Sequence, residues 1–344
     1  MIKKTLDKYG RYFLVLILPY IFMLFVLIYR VDFTASLPGG LSNTEDAIRF
    51  EESFAITSEY HSIYIMPLSR PTLFQVFLMQ LDDASDMRVI PRGTPTVSTR
   101  VNFQSGQLQA DNAWNQAVIA LYNHLDLEIE YDVHWQVVLY FDDVIQRSET
   151  NHQLAIRDTI VSVNDRTDII EALTETPCEE EAKLTVLKEG ATETVDIYIT
   201  KQPTPNSCQF LIQLDQYYEI ISKEVDFELV FSIIGGPSGG LIHFLYMYDV
   251  LTEEPLADGL KISGTGTLDK DGNARAVGGI RQKVITAHLQ GVDVFFVPHL
   301  SQSSSDNYIQ ARNVKEELGI DLTIVPVTHW QDAVDYLLSL REEE

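Results

Sequence analysis

Cysteine is nearly missing from this chain of 344 residues: Cys178 and Cys208 are the whole complement. So few thiols exclude a small disulfide-built scaffold and a cysteine-rich zinc module. No Cys/His cluster has metal-ligand spacing, so neither a metal nor another cofactor is expected. Outside a reducing compartment an even count permits one disulfide, and nothing in the spacing separates that reading from two free thiols. Positive charge is also scarce. The 25 Lys+Arg against 50 Asp+Glu leave a net charge of −25. A surface that acidic repels phosphate backbones, which excludes nucleic acid as a natural partner. The Gly-x-x-x-x-Gly-Lys-Ser/Thr phosphate loop is missing, so no ATP-driven unfolding is expected. At 45% hydrophobic and 22% charged residues the chain is ordinary globular protein, and its length suits two or three units.

One long hydrophobic run is present. Tyr12 to Tyr29 carries no charge, and its eighteen residues span about 27 Å as a helix, close to the hydrocarbon thickness of a bilayer. Lys3, Lys4, Lys8 and Arg11 precede it and Arg30 follows. The positive-inside rule then keeps residues 1–11 cytoplasmic, makes 12–30 a single-pass membrane anchor, and puts the rest outside the cytoplasm. A cleaved signal peptide fits less well, because the apolar core is long and Phe33-Thr34-Ala35 lacks a small-x-small cleavage site.

After the anchor, residues 31–125 read as a membrane-proximal α/β region. Ser62–Pro67 and Thr72–Met79 have the composition of strands, and Asn112–Asn123 places Trp114, Ala117, Val118, Leu121 and Tyr122 on one helical side. Residues 126–201 form a mainly-β unit: a strand at Trp135–Tyr140, the run Leu154–Asp165, a helix from Thr167 to about Leu173, and two strands flanking the Gly190 turn. Residues 202–222, with Pro203 and Pro205 near their start, are the expected linker. From 223 to 344 strands and helices alternate, the pattern of helices packed on a sheet.

Two features of this last unit bear on chemistry. In Gly235-Gly-Pro-Ser-Gly-Gly240, Ser238 sits between an apolar strand and a helix. Taken alone, such a serine is an N-cap in a tight turn. It is also where an attacking hydroxyl would find helix N–H groups to steady an oxyanion. In Val277–His288, Ile280, Val284 and Ala287 make one helical face with Lys283 at its edge. A lysine there either snorkels to water or, if desolvated, becomes a neutral amine able to act as a general base.

Taken together, these motifs resemble the proteolytic domain of Lon proteases. Pro237-Ser238-Gly239-Gly240 matches the family's nucleophile turn, and Gly278-Gly279-Ile280-Arg281-Gln282-Lys283 its lysine helix. Ser263-Gly264-Thr265-Gly266-Thr267-Leu268 matches the Thr-Gly-x-x-Thr-Leu strand between them. The resemblance implies Ser238 as nucleophile, Lys283 as general base, Ser263 as the hydroxyl that orients the lysine, and the backbone N–H groups of Gly236 and Ser238 as the oxyanion hole. Gly235 stands where many Lon domains have Asp, and Ser263 where they have Thr. His243, His288, His299 and His329 have no role in a Ser–Lys dyad. The Leu154–Asp165 run resembles a PDZ domain, with Arg157 and Asp165 in place of two glycines; a plain β spacer is the other reading. The whole order resembles the membrane-bound, PDZ-containing Lon-like proteases. It implies an α/β (α+β) Lon-type proteolytic domain preceded by a mainly-β PDZ-like domain and an N-terminal transmembrane helix. The implied activity is ATP-independent cleavage of membrane-proximal or secreted polypeptides. Because Lon-type domains commonly form rings, a homo-oligomer is implied as well. The rival expectation is a membrane-anchored PDZ-like adaptor whose proteolytic domain has weakened.

Overall fold

The computed structural model describes residues 2–50, 54–204, 207–230, 234–253 and 255–342, while the side chains of 2–9, 11, 13, 14, 16 and 342 lie outside the description. It begins with helix α1 (Ile2–Ile28), which contains Pro19. Among the described residues no helix is long and apolar enough to cross a membrane. The expected anchor falls partly on side chains outside the description.

Residues 72–79, expected as a strand, instead form helix α2 (Leu73–Met79). The reason is local. Thr72 accepts from the Gln75 amide, and the Gln75 side chain accepts from the Thr72 amide, a reciprocal capping box that starts a helix where composition alone suggests a strand. Helix α3 (Thr99–His124) is more than twice the length expected from 112–123. Its added N-terminal half is capped by Ser98, which accepts from the Val101 amide.

The first sheet has six strands in the order Thr323–Val327, Val294–Pro298, Lys261–Gly264, Glu59–Ser69, Phe33–Asn43, Asp86–Val89. The first four run parallel and the last two pairings are antiparallel. The region expected to be a separate membrane-proximal unit thus supplies half the sheet on which the C-terminal region is built.

The second sheet is antiparallel. It joins Ile129–Tyr140, Gln146–Arg147, Thr159–Val163, Glu181–Leu187, Thr194–Thr200 and Ile212–Lys223, with helix α4 (Ile169–Glu175) beside it. Its core holds Val137, Ile160, Leu184, Ile197 and Ile199. The segment expected to be a linker supplies one of its longest strands, since Ile212–Lys223 pairs along the length of Ile129–Tyr140. Cys178 and Cys208 are joined as a disulfide.

Helices α5 (Gly240–Leu251), α6 (Ile280–Leu289), α7 (Asn307–Leu318) and α8 (Trp330–Glu342) complete the fold. The fully buried Val294–Pro298 strand shows the layering. Phe295 and Val297 enter the core with Val284, Ala287, Ala311 and Val314 of α6 and α7. Val294 and Phe296 enter the core with α3, α5 and α8 through Leu121, Leu245 and Leu337. Side chains alternate across a strand, so a central strand covered on both faces must be apolar throughout. Helices α3 and α6 therefore lie on opposite faces of the sheet, and the cavity described next opens between their ends.

Candidate active site

Ser238 stands two residues ahead of α5, in a turn held by backbone on both sides. Its carbonyl accepts from the Gly266 amide at 2.9 Å, and the Leu241 amide donates to the Gly266 carbonyl at 3.1 Å. On the other side the Gly236 amide donates to the Gly106 carbonyl of α3 at 2.7 Å. The contact is so close that a Cβ on Gly235 would lie 2.7 Å from the Gly106 carbonyl carbon. This explains glycine at 235, where an aspartate would find no room. Gly106 escapes sequence reasoning, yet a glycine inside a helical pattern is itself a sign of close backbone approach.

Lys283 lies one turn into α6, whose first turn starts from Gly279 in the left-handed region at φ 72°. Only 3% of Lys283 is exposed. Its Nζ donates to Thr265 Oγ1 at 2.8 Å, and among the described residues no carboxylate pairs with it. Burial alone pulls its pKa from 10.5 to about 8, because the protein interior disfavours the charged form. Of the two readings left open for this residue, snorkelling to water is excluded by its burial.

The hydroxyl that Lys283 Nζ bonds is that of Thr265 rather than of the expected Ser263. Fully buried Ser263 donates through Oγ to the His61 carbonyl at 2.7 Å on the neighbouring strand. Thr265 lies two residues on, just past the strand end. It accepts from Lys283 and donates to the Ser238 carbonyl at 3.4 Å, so one hydroxyl touches both halves of the site. A two-residue step keeps the same face of a strand, so sequence period cannot separate 263 from 265. The depth at which α6 meets the sheet decides.

The expected oxyanion hole also changes. The Gly236 amide is committed to Gly106, whereas among the described residues the Ser238 amide donates to no protein group. Ser238 is thus the expected donor that stays available.

Ser238 and Lys283 line the same cavity, of about 1560 Å³, together with Gly278, Gly279, Phe103 and Ile65. His288, His299 and His329 bond elsewhere, to the Asp321 carbonyl, Asp306 and the Asp271 carbonyl. His243 lies in the cavity wall, stacked on Trp114 with ring centroids 3.6 Å apart. Among the described residues no group of three or more His, Cys, Asp or Glu is placed to hold a metal ion.

Residues 234–340 match the Lon protease (S16) C-terminal proteolytic domain. The chain is 31% identical over 97 residues to the Lon protease of Aster yellows witches'-broom phytoplasma, covering 28% of this chain and 11% of that protein. It is 29% identical over 103 residues to the Lon protease of Clostridioides difficile, covering 30% and 12%. The chain therefore spans only about a tenth of the length of the curated relatives it matches. Residues 234–340 are thus similar to the Lon-type (S16) proteolytic domain, and within them Ser238 and the buried Lys283 line one cavity.

Proposed function

We propose that this chain is an ATP-independent endopeptidase in which Ser238 is the nucleophile, Lys283 the general base and Thr265 the residue that positions the lysine. The observation that carries the reading is the burial of Lys283 without a counter-charge in the cavity that Ser238 lines. A serine hydroxyl needs a base. With a pKa of about 8, Lys283 is neutral in roughly a tenth of molecules at pH 7, against well under a thousandth for an ordinary lysine. A neutral amine has two N–H donors and one lone pair. Donation to Thr265 fixes the amine and leaves the lone pair to take the Ser238 proton.

The Ser238 oxygen then attacks the substrate carbonyl, and the Ser238 amide stabilises the oxyanion. Lys283, now an ammonium, returns the proton to the leaving amine. Water deacylates the enzyme by the same route, with Lys283 again as base.

The proposal extends to the rest of the chain. The uncharged run from Tyr12 to Tyr29 supports a membrane anchor with the later residues outside the cytoplasm. The exposed Leu18, Ile21, Phe22 and Leu24 of α1 agree with this, as does a disulfide, which persists in oxidising compartments. The second sheet, with helix α4 beside it, supports a PDZ-like peptide-binding unit. Substrates are then membrane-proximal or secreted polypeptides in flexible segments, and a homo-oligomer is part of the proposal.

Casein degradation without ATP by the full chain in detergent, beside Ser238→Ala and Lys283→Ala, tests the reading. Cleavage lost in both variants is expected. Cleavage that survives Lys283→Ala would refute the dyad, and an inactive wild type would favour the weakened adaptor.

A further inference from the structure

Helix α2 carries an apolar stripe that the rest of the chain leaves open. Phe74, Phe77, Leu78 and Leu81 are between 40% and 72% exposed. The chain winds on past the end of α2, because the Gln80 and Leu81 amides donate to the Val76 and Leu78 carbonyls. Positions i, i+3, i+4 and i+7 therefore put all four side chains on one side. Thr72, Val76 and Met79 fall on the other side, where Met79 is buried. Apolar side chains gathered in one exposed stripe mark an interaction face, which scattered exposure does not.

The place of α2 in the fold says what covers that face. The Leu73 amide donates to the Tyr29 carbonyl at 3.0 Å, and the Val31 amide donates to the Pro71 carbonyl at 3.0 Å. Arg30 and Thr72 form an isolated bridge between these bonds. The Arg30 guanidinium also donates to the Arg70 carbonyl at 3.2 Å. The first residue of α2 is thus bonded to the last residue of the uncharged run Tyr12–Tyr29, where that run would leave a bilayer. At 1.5 Å per residue the whole stripe lies within about 12 Å of the exit.

Charge around α2 agrees with such a site. Residues 30–33 and 70–92 hold four arginines (Arg30, Arg70, Arg88, Arg92) and four aspartates (Asp32, Asp82, Asp83, Asp86). This end is neutral in a chain of net charge −25, so a bilayer surface does not repel it as it repels the acidic remainder.

Resting on the anchor reading above, we propose that α2 is an interfacial helix. Phe74, Phe77, Leu78 and Leu81 lie in the headgroup–acyl boundary of the bilayer that the run 12–29 enters. Amphipathic helices bind there in proportion to the apolar area they bury, with Phe and Leu on the inserted face. The docking has a consequence for the cavity. The strands before and after α2, Glu59–Ser69 and Asp86–Val89, supply Pro67, Ser69, Asp86 and Arg88 to its lining. A docked α2 holds that end of the cavity close to the bilayer, within reach of membrane-proximal segments of other proteins.

The test is depth-resolved quenching of the full chain in phosphatidylcholine vesicles. Cys178 and Cys208 are joined, so a fluorophore can be placed on one introduced cysteine. Phe77→Cys and Leu81→Cys report on the stripe, and Ile21→Cys on the anchor. Leu289→Cys is the distant reference. Leu289 is 70% exposed, and the carbonyl of adjacent Gln290 accepts from Lys261. Lys261 pairs with Glu59 at the far end of the eleven-residue strand leading to α2, about 30 Å along it. Lipids carry a nitroxide at headgroup depth or, separately, deep in the acyl chains. Labels at 77 and 81 should be quenched more by the shallow nitroxide, the label at 21 more by the deep one, and the label at 289 by neither. Adding Phe74→Ser and Leu78→Ser should lower quenching at 81 toward the level at 289. Labels at 77 and 81 quenched no more than at 289, with 21 still quenched, overturn the proposal and leave the anchor standing. An unquenched label at 21 strikes both. Quenching at 81 that survives the two serines also overturns the proposal. So do labels that lipid fails to quench but that quench one another between copies, which would give the stripe to a second copy of the chain.

Discussion

Replacing Lys283 should make the protein more stable at neutral pH. Lys283 is 3% exposed, lacks a counter-ion among the described residues, and is held from 10.5 down to about 8 by burial. At about 1.4 kcal/mol per decade, this costs the folded chain about 3 kcal/mol at pH 7. Lys283→Met keeps a linear side chain of similar length and removes that cost. It also removes the bond to Thr265 Oγ1, whose loss takes back about 1 kcal/mol. The net expectation is a gain of about 2 kcal/mol, with all peptidase activity gone. The gain depends on pH in a fixed direction. Between the folded value near 8 and the unfolded value near 10.5, the unfolded wild-type chain holds the extra proton, so wild-type stability rises with pH. The advantage of Lys283→Met is therefore full below pH 8 and gone above about 10.5. Urea-unfolding midpoints of both proteins at pH 7 and at pH 11 measure it. A variant less stable than wild type at pH 7, or one whose advantage persists at pH 11, would refute this account of the site.

Wild-type kcat/KM should rise about tenfold between pH 7 and pH 9 as Lys283 loses its proton, and a flat profile would contradict the buried base. Thr265→Val should lower kcat by about ten- to a hundredfold, on the scale of a lost transition-state hydrogen bond, with Thr265→Ser restoring most of it. Ser263→Ala should instead cost about 1–2 kcal/mol of stability through the orphaned His61 carbonyl and leave the pH profile in place. Gly235→Ala should lose activity because its Cβ would lie 2.7 Å from the α3 backbone. Gly106→Ala should retain activity, since its nearest contact across the same interface is 3.5 Å; activity assays on both proteins decide. Removing the Cys178–Cys208 bond with a double serine substitution should cost about 2–4 kcal/mol, read from urea unfolding under oxidising conditions.

How far the sequence went can be argued from particular elements. The C-terminal alternation was legible because its periods are clean. Strand 294–298, helix 307–318, strand 323–327 and helix 330–342 follow one another as that alternation predicts. Ser238 and Lys283 were legible because glycine-flanked serine and a lysine on an apolar helix are local patterns, and the fold brings both to one cavity. Residues 72–79 were misread because their apolar composition hid a four-residue capping signal. The segment 212–223 was misread because its burial does not alternate cleanly and its pairing partner lies about eighty residues earlier.

The sequence by itself determined the glycine-flanked turn of Ser238 and the helix that carries Lys283, since those depend on contacts within a turn or two of chain. Tertiary structure alone decided the rest. It set the Lys283 amine on Thr265 and not on Ser263, withdrew the Gly236 amide by docking it on α3, and built half of the first sheet from residues before 90. Each of these depends on the depth and register at which distant segments meet, and side-chain period within one segment carries no record of either.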